Sequence, residues 1–542
     1  MKALRPAVGQ AMIGGLRRRP GRLFLVAFGV FFALTAAWSM STPLGAAPDE
    51  PPHLVKAAAT ARGEINGTFG YLVEPMIQGL TEQPARFYSV PNAYAELAIC
   101  YAAVVPTCLR PIPHSDLSVI APTTAGHYNP VYYAAVGWPS LFFDGFHGMY
   151  LVRLMSALLN SLLLAGAFTI AAQWRRPALA LAGLAVAVTP MVLFLGGVVN
   201  PNGIESSSAI LAWTAALSLA LEPRPELFKG WMAGLAVAVA VLANARPLGG
   251  EWTVAILAVS ALVARRGAVR AVVRSRFTWG VCAVVAGPTA FGLLWTMTHG
   301  DNAKVPFVPG NAFWPAAHAS LDLTPLYINT MIGIFGWLKL DSPQVTYMVW
   351  IGAVIALVVA ACTLSRVRET IAVLGVVLGV VFIPVLAQAE QARNIGMVWQ
   401  GRYLLAFAVG LPILAGMVVA RRGEVVPERV QRRFAVGVVL MVGVGDFAAF
   451  AYTLRRYMVG LGGRSLLATG TWQPPGTWML WVPLYAIALG VVVVLVVGLG
   501  LVESEVGEEG GGVVVGAGLG VGLVVGPGQG REAEARAESS VG

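Results

Sequence analysis

The chain has 542 residues, of which 57% are hydrophobic and only 12% are charged, and its mean hydropathy is +0.71. This composition excludes a soluble globular protein of this size. Apolar runs that repeatedly reach roughly 20 residues, the length that crosses a bilayer, instead predict an all-α polytopic membrane protein. The formal net charge of +10 is explained by basic clusters on one side of the membrane, so we expect no nucleic-acid partner.

About twelve membrane spans are predicted from the apolar runs and the charged breaks between them. Their approximate ranges are 22–43, 149–171, 177–199, 206–221, 229–245, 250–264, 277–297, 346–364, 369–388, 402–420, 433–453 and 477–501. Basic clusters recur at every second break, which places both termini in the cytoplasm. Residues 1–21 form a basic cytoplasmic N-terminus and residues 22–502 the membrane domain. A cleaved signal peptide is the alternative for the first run, but many more spans follow it.

The longest connection is the first extracytoplasmic loop, residues 46–148, which we call loop one. It is rich in Pro and Tyr, and its size indicates that the functional face is the outer one. Within it, Tyr132 and Trp138 belong to an aromatic stretch that predicts an interfacial helix or re-entrant piece. The glycine-rich tail, residues 503–542, is predicted to be a disordered cytoplasmic segment, with a weak extra membrane segment as the alternative.

Two cysteines of loop one, Cys100 and Cys108, are candidates for a disulfide, because an extracytoplasmic compartment permits the bond. Two free thiols are the alternative. Cys282 and Cys362 lie in apolar spans and are predicted to be small core residues.

Adjacent carboxylates follow directly on the first span, in the run Pro-Asp-Glu-Pro-Pro-His that contains Asp49, Glu50 and His53. A carboxylate beside hydrocarbon is costly to ionise unless it is solvated or has a task. The flanking prolines stiffen the turn, and a helix is predicted to start at the motif. Asp49 is the candidate general base, with Glu50 and His53 as candidate catalytic partners. A divalent cation on the two carboxylates stays open.

Several cations stand at the outer ends of predicted spans, where basic residues are disfavoured. Guanidinium groups that converge there would bind phosphate, because their geometry matches it bidentately. Pairing of Arg246 with Glu251 and simple snorkelling are the alternatives. Asn202 is a candidate cap of the following helix. The candidate substrate- and phosphate-binding residues are Arg153, Asn202, Arg246, Lys339, Asp341, Arg402 and Tyr403.

Motifs of soluble cofactors are missing from the sequence: it has no Walker loop, no dinucleotide-binding glycine fingerprint and no His-Glu-x-x-His. No cofactor is therefore assigned. A donor reached from the outer leaflet would be carried by a lipid.

The Asp-Glu and His after the first span resemble the opening motif of membrane glycosyltransferases of the GT-C fold. A closer resemblance, over residues 20–455, is to a bacterial family of multipass membrane proteins without an assigned function, domain-of-unknown-function family 2142. It rests on Asn-Pro-Val-Tyr-Tyr at 129–133, Phe-Gly-Trp-Leu at 335–338 and Gln-Gly-Arg-Tyr at 400–403. The chain departs from the family pattern where Lys339 precedes Asp341 and where Asn200-Pro201-Asn202 replaces an Asn-x-Asp pattern.

The resemblance implies a GT-C-like bundle in a bacterial plasma membrane and transfer of a sugar from a polyprenyl-phosphate donor. The acceptor would be a glycan, a lipid or a protein, and membrane lipids would surround the chain. In this hypothesis Asp49 accepts the proton of the acceptor hydroxyl or orients that hydroxyl. Arg402 and Arg246, with Lys339 as a further candidate, neutralise the leaving phosphate. Tyr132 and Trp138 would stack on sugar or line the lipid groove. A transporter or flippase of lipid-linked glycans and a surface-polysaccharide polymerase or ligase are the alternatives.

Overall fold

The structure is a computed structural model that describes residues 12–76, 79–97, 117–143, 145–300, 309–422, 426–460, 470 and 472–509. Its helices in chain order are α1 (Pro20–Ser41), α2 (Glu50–Ala61), α3 (Asn92–Ala95), α4 (Pro130–Gly137), α5 (Gly145–Ala172), α6 (Pro177–Ala187), α7 (Pro190–Gly197), α8 (Pro201–Leu221), α9 (Phe228–Ala245), α10 (Gly249–Val263), α11 (Ala268–Arg274), α12 (Arg276–Thr298), α13 (Phe313–Asp322), α14 (Thr324–Gly333), α15 (Gln344–Leu364), α16 (Val367–Ile395), α17 (Leu405–Ala408), α18 (Gly410–Ala420), α19 (Glu428–Val459) and α20 (Trp478–Glu509). The strands are β1 (Thr68–Met76), β2 (Gly79–Pro91), β3 (Ser118–Thr123), β4 (Ile334–Phe335) and β5 (Leu340–Asp341).

All twelve predicted spans are helical, and the predicted class of an all-α polytopic membrane protein is confirmed. Within the described ranges, ten helical stretches are long and apolar enough to cross a membrane, or eleven if a bent pair forms one span. Relative to eleven, the predicted count of about twelve is higher for one reason. The helix α10 has only 15 residues, which is short for a crossing.

The bent pair is α6 and α7, which meet at 62° within the predicted span 177–199. Pro190 opens α7, and a proline there cannot donate the backbone hydrogen bond that a continuous helix needs. Thr189 caps α7 by accepting from the amide of Val192 at 3.3 Å. Its hydroxyl also donates to the carbonyl oxygen of Met331 at 2.8 Å, which ties the break to α14.

Helix α8 lies at the centre of the bundle, since every residue of it is buried. It packs against α5, α9 and α10, and α1 packs against α5 and α20. By contrast, α12 keeps large apolar side chains such as Val284 and Met297 exposed, as a lipid-facing helix does. Polar groups at the start of α8 are therefore held deep inside the protein.

Loop one packs against the end of the bundle at which α1 finishes. It contains α2, the antiparallel sheet β1-β2-β3, and α4 with a 3-10 turn at Trp138–Leu141. The helix at 130–137 agrees with the prediction, whereas the sheet was not predicted. Lys56 of α2 joins the sheet to the helix, because its ammonium donates to the carbonyl of Ile65 at 2.5 Å and to the hydroxyl of Tyr88 at 2.8 Å.

Two predicted features fall wholly or partly outside the described residues. Cys100 and Cys108 lie there, and so does the predicted tail from residue 510 onward. The last helix continues to Glu509, beyond the predicted end of its span at 501.

Candidate functional site

Asp49 occupies a special backbone position at the N-terminus of α2. Its φ of 59° and ψ of 7° are left-handed, a conformation that Asp and Asn tolerate better than most residues. The helix begins at Glu50, as predicted, and the N-terminal end of a helix favours a negative charge. The turn is held from the bundle, because the side-chain amide of Asn200 donates to the carbonyl oxygen of Pro48 at 2.9 Å.

Glu50 and Arg153 form an ion pair whose side chains are fully buried. The guanidinium donates to both Glu50 oxygens, at 2.6 and 2.5 Å, and to three carbonyl oxygens that end α1. These carbonyls belong to Ser39, Thr42 and Pro43. All five N–H groups of Arg153 are thereby satisfied. The pair anchors the turn that carries Asp49, and neither member presents a free atom to a substrate, in contrast to the roles proposed from the sequence.

Asp49 is held by Arg402, whose Nη2 donates to Oδ2 at 2.5 Å. The Arg402 side chain is only 3% exposed, whereas that of Asp49 is 42% exposed. The Nε and Nη1 atoms of Arg402 are buried and have no hydrogen-bond partner within the described part of the chain. Burial works to raise the pKa of Asp49, but Arg402, His53 and Arg246 outweigh it and leave the pKa below its ordinary value. Asp49 is thus an accessible, ionised carboxylate at physiological pH.

Two arginines and two tyrosines alternate beside Asp49, and we call them the stacked row: Arg402, Tyr403, Arg246 and Tyr128. The guanidinium carbons of Arg402 and Arg246 lie 5.3 and 4.6 Å from the centre of the Tyr403 ring. The Arg246 carbon also lies 5.9 Å from the Tyr128 ring centre. Cation–π contacts of this kind hold two positive charges near one another while leaving much of their charge uncompensated.

The partner of Arg246 differs from the one considered from the sequence. Its Nη1 donates to Oδ1 of Asn202 and lies 3.5 Å from Oε2 of Glu205, both on α8. Glu251 is exposed. The cap of α8 is Asn200, whose side chain accepts from the amide of Asn202 at 3.0 Å. Asn202 therefore accepts a hydrogen bond from Arg246, and the prediction that it caps α8 is wrong.

His53 packs beside the row and is buried. Its Nδ1 lies 2.8 Å from the Tyr133 hydroxyl, and its ring centre lies 5.5 Å from that of Tyr128. Burial lowers the pKa of His53 to about 3, against the opposing effect of Asp49. The imidazole is therefore neutral at physiological pH. It packs between Tyr133, its hydrogen-bond partner, and Tyr128 of the stacked row.

Lys339 and Asp341 are exposed on the β4–β5 hairpin and, among the described residues, form no hydrogen bond or ion pair with the stacked row. The hairpin has another role. Its tip residues Trp337 and Leu338 both have φ of 60°, and the Trp337 indole donates to the carbonyl of Gly45 at 3.1 Å. The Phe-Gly-Trp-Leu segment thus supports the turn that precedes Asp49.

The two loop-one aromatics proposed to bind substrate lie in different settings. Tyr132 is buried, with its hydroxyl 3.0 Å from that of Ser156, whereas Trp138 is 46% exposed. Tyr128 and Glu205 complete the site and were not among the predicted site residues. Their sequence signals were weak, because Tyr128 is one of many loop-one tyrosines and Glu205 is a single acid in the short break between the predicted spans 177–199 and 206–221.

The residues around Asp49 do not suit a divalent cation. Its near neighbours are two guanidinium groups, and Glu50 is committed to Arg153. Across the described part of the chain, no three His, Cys, Asp or Glu side chains converge as metal ligands would.

An apolar groove of 340 Å³ lies beside the segment that follows Arg402. It runs between α14, α15 and α16 and is closed on one side by the α6–α7 break and by residues 405–412. Leu405, one of its lining residues, follows Arg402 by three positions. Ile351 and Ile355 on its rim are 38% and 56% exposed, so the groove opens on the lateral surface of the bundle.

Fold and site together define a multipass membrane protein with an ionised carboxylate and two guanidinium groups at one end of its bundle. The chain belongs to the family described as predicted membrane protein (DUF2142), whose model matches residues 32–411. No curated protein matches it in sequence.

Two solved structures are similar in shape. The crystal structure of ArnT from Cupriavidus metallidurans bound to undecaprenyl phosphate shares 14% identity, covers 91% of this chain and 79% of its own, and gives a TM-score of 0.44. The apo ArnT structure is 15% identical in sequence. The match covers 86% of this chain and 75% of the ArnT chain, with a TM-score of 0.41. Scores of this size carry no argument about what the present chain binds.

Proposed function

We propose that the protein is a membrane glycosyltransferase that moves a sugar from a polyprenyl-phosphate donor to a cell-envelope acceptor. The proposal rests on one observation: Asp49, Arg402 and Arg246 lie close together. A carboxylate kept ionised and accessible suits a general base, and two guanidinium groups suit a departing phosphate. The site would face the outside of a bacterial plasma membrane.

In the proposed reaction, the acceptor hydroxyl attacks the anomeric carbon of the donor sugar. The new carbon–oxygen bond forms as the bond from that carbon to the phosphate oxygen breaks. Asp49 receives the hydroxyl proton, and the electron pair leaves with polyprenyl phosphate. The two unpartnered nitrogens of Arg402 are available to the phosphate oxygens, and Arg246 adds a second positive charge. No metal ion is needed for this balance.

The apolar groove supports a donor carried on a lipid. Its lateral opening suits entry of a hydrocarbon chain from the membrane, and its lining includes Leu405, which follows Arg402 by three positions. A soluble nucleotide sugar would have no use for such a groove. The chemistry of the sugar and of the acceptor is left to experiment.

One observation favours a second candidate, a flippase of lipid-linked glycans. Transporters often place a broken helix beside their substrate site, and the α6–α7 break lines the same groove. A flippase would use the same cations without breaking a bond.

The two functions are separated by a transfer assay with synthetic undecaprenyl phosphates that carry radiolabelled hexoses or pentoses. Purified protein in nanodiscs is given each donor with envelope extract as acceptor. We expect label in acceptor and stoichiometric free undecaprenyl phosphate, both lost in Asp49→Asn. Asp322→Asn, an exposed acid at the end of α13, is the matched control. Full turnover by Asp49→Asn would remove the base role, and lipid flipping without transfer would support the flippase.

A further inference from the structure

A second cleft opens beside Arg246. Its volume is 360 Å³, and residues 127–129 of loop one, the segment after α9 and the end of α12 line it. We call it the side cleft. Arg246 and Tyr128 belong both to its wall and to the stacked row, so the side cleft adjoins the Asp49 centre.

Its walls combine ring surfaces with hydrogen-bonding groups, unlike the wholly apolar groove. The indole of Trp295 and the imidazole of His299 stack at 3.8 Å between centres with an angle of 2°. The Trp295 Nε1 donates to the carbonyl oxygen of His127 at 3.0 Å, which fixes the ring against loop one. Flat rings held rigidly beside polar groups suit a ligand with apolar C–H faces and many hydroxyls.

We infer that the side cleft binds a saccharide, the acceptor glycan, and presents one of its hydroxyls to Asp49 past Tyr128 and Arg246. This inference rests on the proposed function, since it assigns the acceptor to one cavity and the donor to the other. The groove is too apolar for a glycan, and the side cleft lacks the apolar length that a polyprenyl chain needs. Arg246 lines the side cleft and lies against Tyr403, which also contacts Arg402, so the reacting groups would come together at these residues.

Two variants test the side cleft directly. Trp295→Ala removes the ring surface. Gly300→Trp fills the cleft, because Gly300 is exposed and, among the described residues, a Cβ there meets only the carbonyl oxygen of Thr296 at 3.5 Å. Matched controls lie at the other end of α12: the exposed Trp279 changed to Ala, and Gly280→Trp, where no atom lies within 4 Å of a Cβ.

The measurement is binding of nanodisc-embedded protein, without any donor, to an array of bacterial envelope glycans, followed by titration of the strongest ligand. Nanodiscs are used because maltoside detergents are themselves saccharides. We expect Trp295→Ala and Gly300→Trp to weaken binding by roughly tenfold or more, the scale of a lost aromatic contact, and both controls to bind as the unaltered protein does. Absence of glycan binding, or equal binding by all four variants, would overturn the inference.

The outcome is separable from that of the proposed function. Glycan binding that depends on Trp295, with no sugar transfer, would support the side cleft and refute the transferase. Sugar transfer whose acceptor KM is unchanged in Trp295→Ala and Gly300→Trp would support the transferase and refute the side cleft.

Discussion

Nη2 of Arg402 lies 2.5 Å from Oδ2 of Asp49, although 353 positions separate the two residues in the chain. The contact joins the turn after the first span to the Gln-Gly-Arg-Tyr segment. The guanidinium lowers the pKa of Asp49, so the carboxylate stays ionised and accepts hydrogen bonds. It also leaves two Arg402 nitrogens without a hydrogen-bond partner among the residues that the structure describes.

Arg402→Gln should reduce transfer by about 10²–10³-fold, the usual loss when one donor to a developing anion is removed. The pKa of Asp49 should rise without its main cationic neighbour, so the acid limb of the pH–rate profile should move to higher pH. Arg402→Lys keeps the charge but not the planar fork and should recover only part of the rate. Arg270→Gln, at an exposed arginine of α11, is the control. An unshifted acid limb in Arg402→Gln would refute the coupling.

Single changes at Glu50 or Arg153 should destabilise the protein by about 3–5 kcal/mol, because each leaves a buried charge unpaired. Glu50→Gln and Arg153→Met test this by thermal unfolding in nanodiscs. The double variant should be less destabilised than the sum of the singles, because no charge is then stranded. Strict additivity would show that the two side chains act independently.

Gly401→Ala should disturb the site without touching a charge. A Cβ at this position would overlap the carbonyl oxygen of Tyr327, so α14 or the Arg402 segment has to move. We expect a cost of about 1–3 kcal/mol and a large loss of transfer, since Arg402 is the next residue. Gly230→Ala, where no atom lies within 4 Å of a Cβ, is the control, and equal behaviour of the two variants would contradict the packing argument.

The pH–rate profile should show no limb from His53 between pH 5 and 8, because burial lowers its pKa to about 3. His53→Asn should therefore change the rate through lost packing and leave the profile's shape in this range unaltered. Tyr133→Phe, which removes the hydroxyl partner, should behave in the same way. A limb near pH 6.5 that disappears in His53→Asn would show that the imidazole titrates in the reaction.

Lys56 should make stability rise with pH. Burial, with a smaller effect of Arg86, lowers its pKa from 10.5 to about 7 in the folded protein. Between these values the unfolded chain binds the extra proton, so the free energy of unfolding should increase from about pH 7 upward, by up to about 1.4 kcal/mol per pH unit. Lys56→Met should flatten the slope of melting temperature against pH, whereas Lys229→Met, at an exposed position, should not. An equal slope in both variants would contradict the assignment.

The sequence was informative wherever one segment carries its own signal. Apolar length predicted every span, and the residues after Asp49 predicted a helix that starts at the motif, where α2 begins at Glu50. It failed where signals are composite. The α6–α7 break looked like one apolar run, because Pro190 interrupts hydrogen bonding without interrupting hydropathy. The sheet of loop one alternates poorly and was not recognised. The lower span count follows from α10, which is apolar but short.

The sequence by itself determined a multipass membrane protein, a carboxylate at the end of the first span and a set of candidate cations, because hydropathy and charge are local properties. Only the tertiary structure decided which charges meet. It committed Glu50 and Arg153 to each other in the interior and brought Arg402 and Arg246 to Asp49 with Tyr128 and Tyr403 between and beside them. Partner choice among buried charges depends on helix packing across hundreds of residues, and no local pattern encodes it.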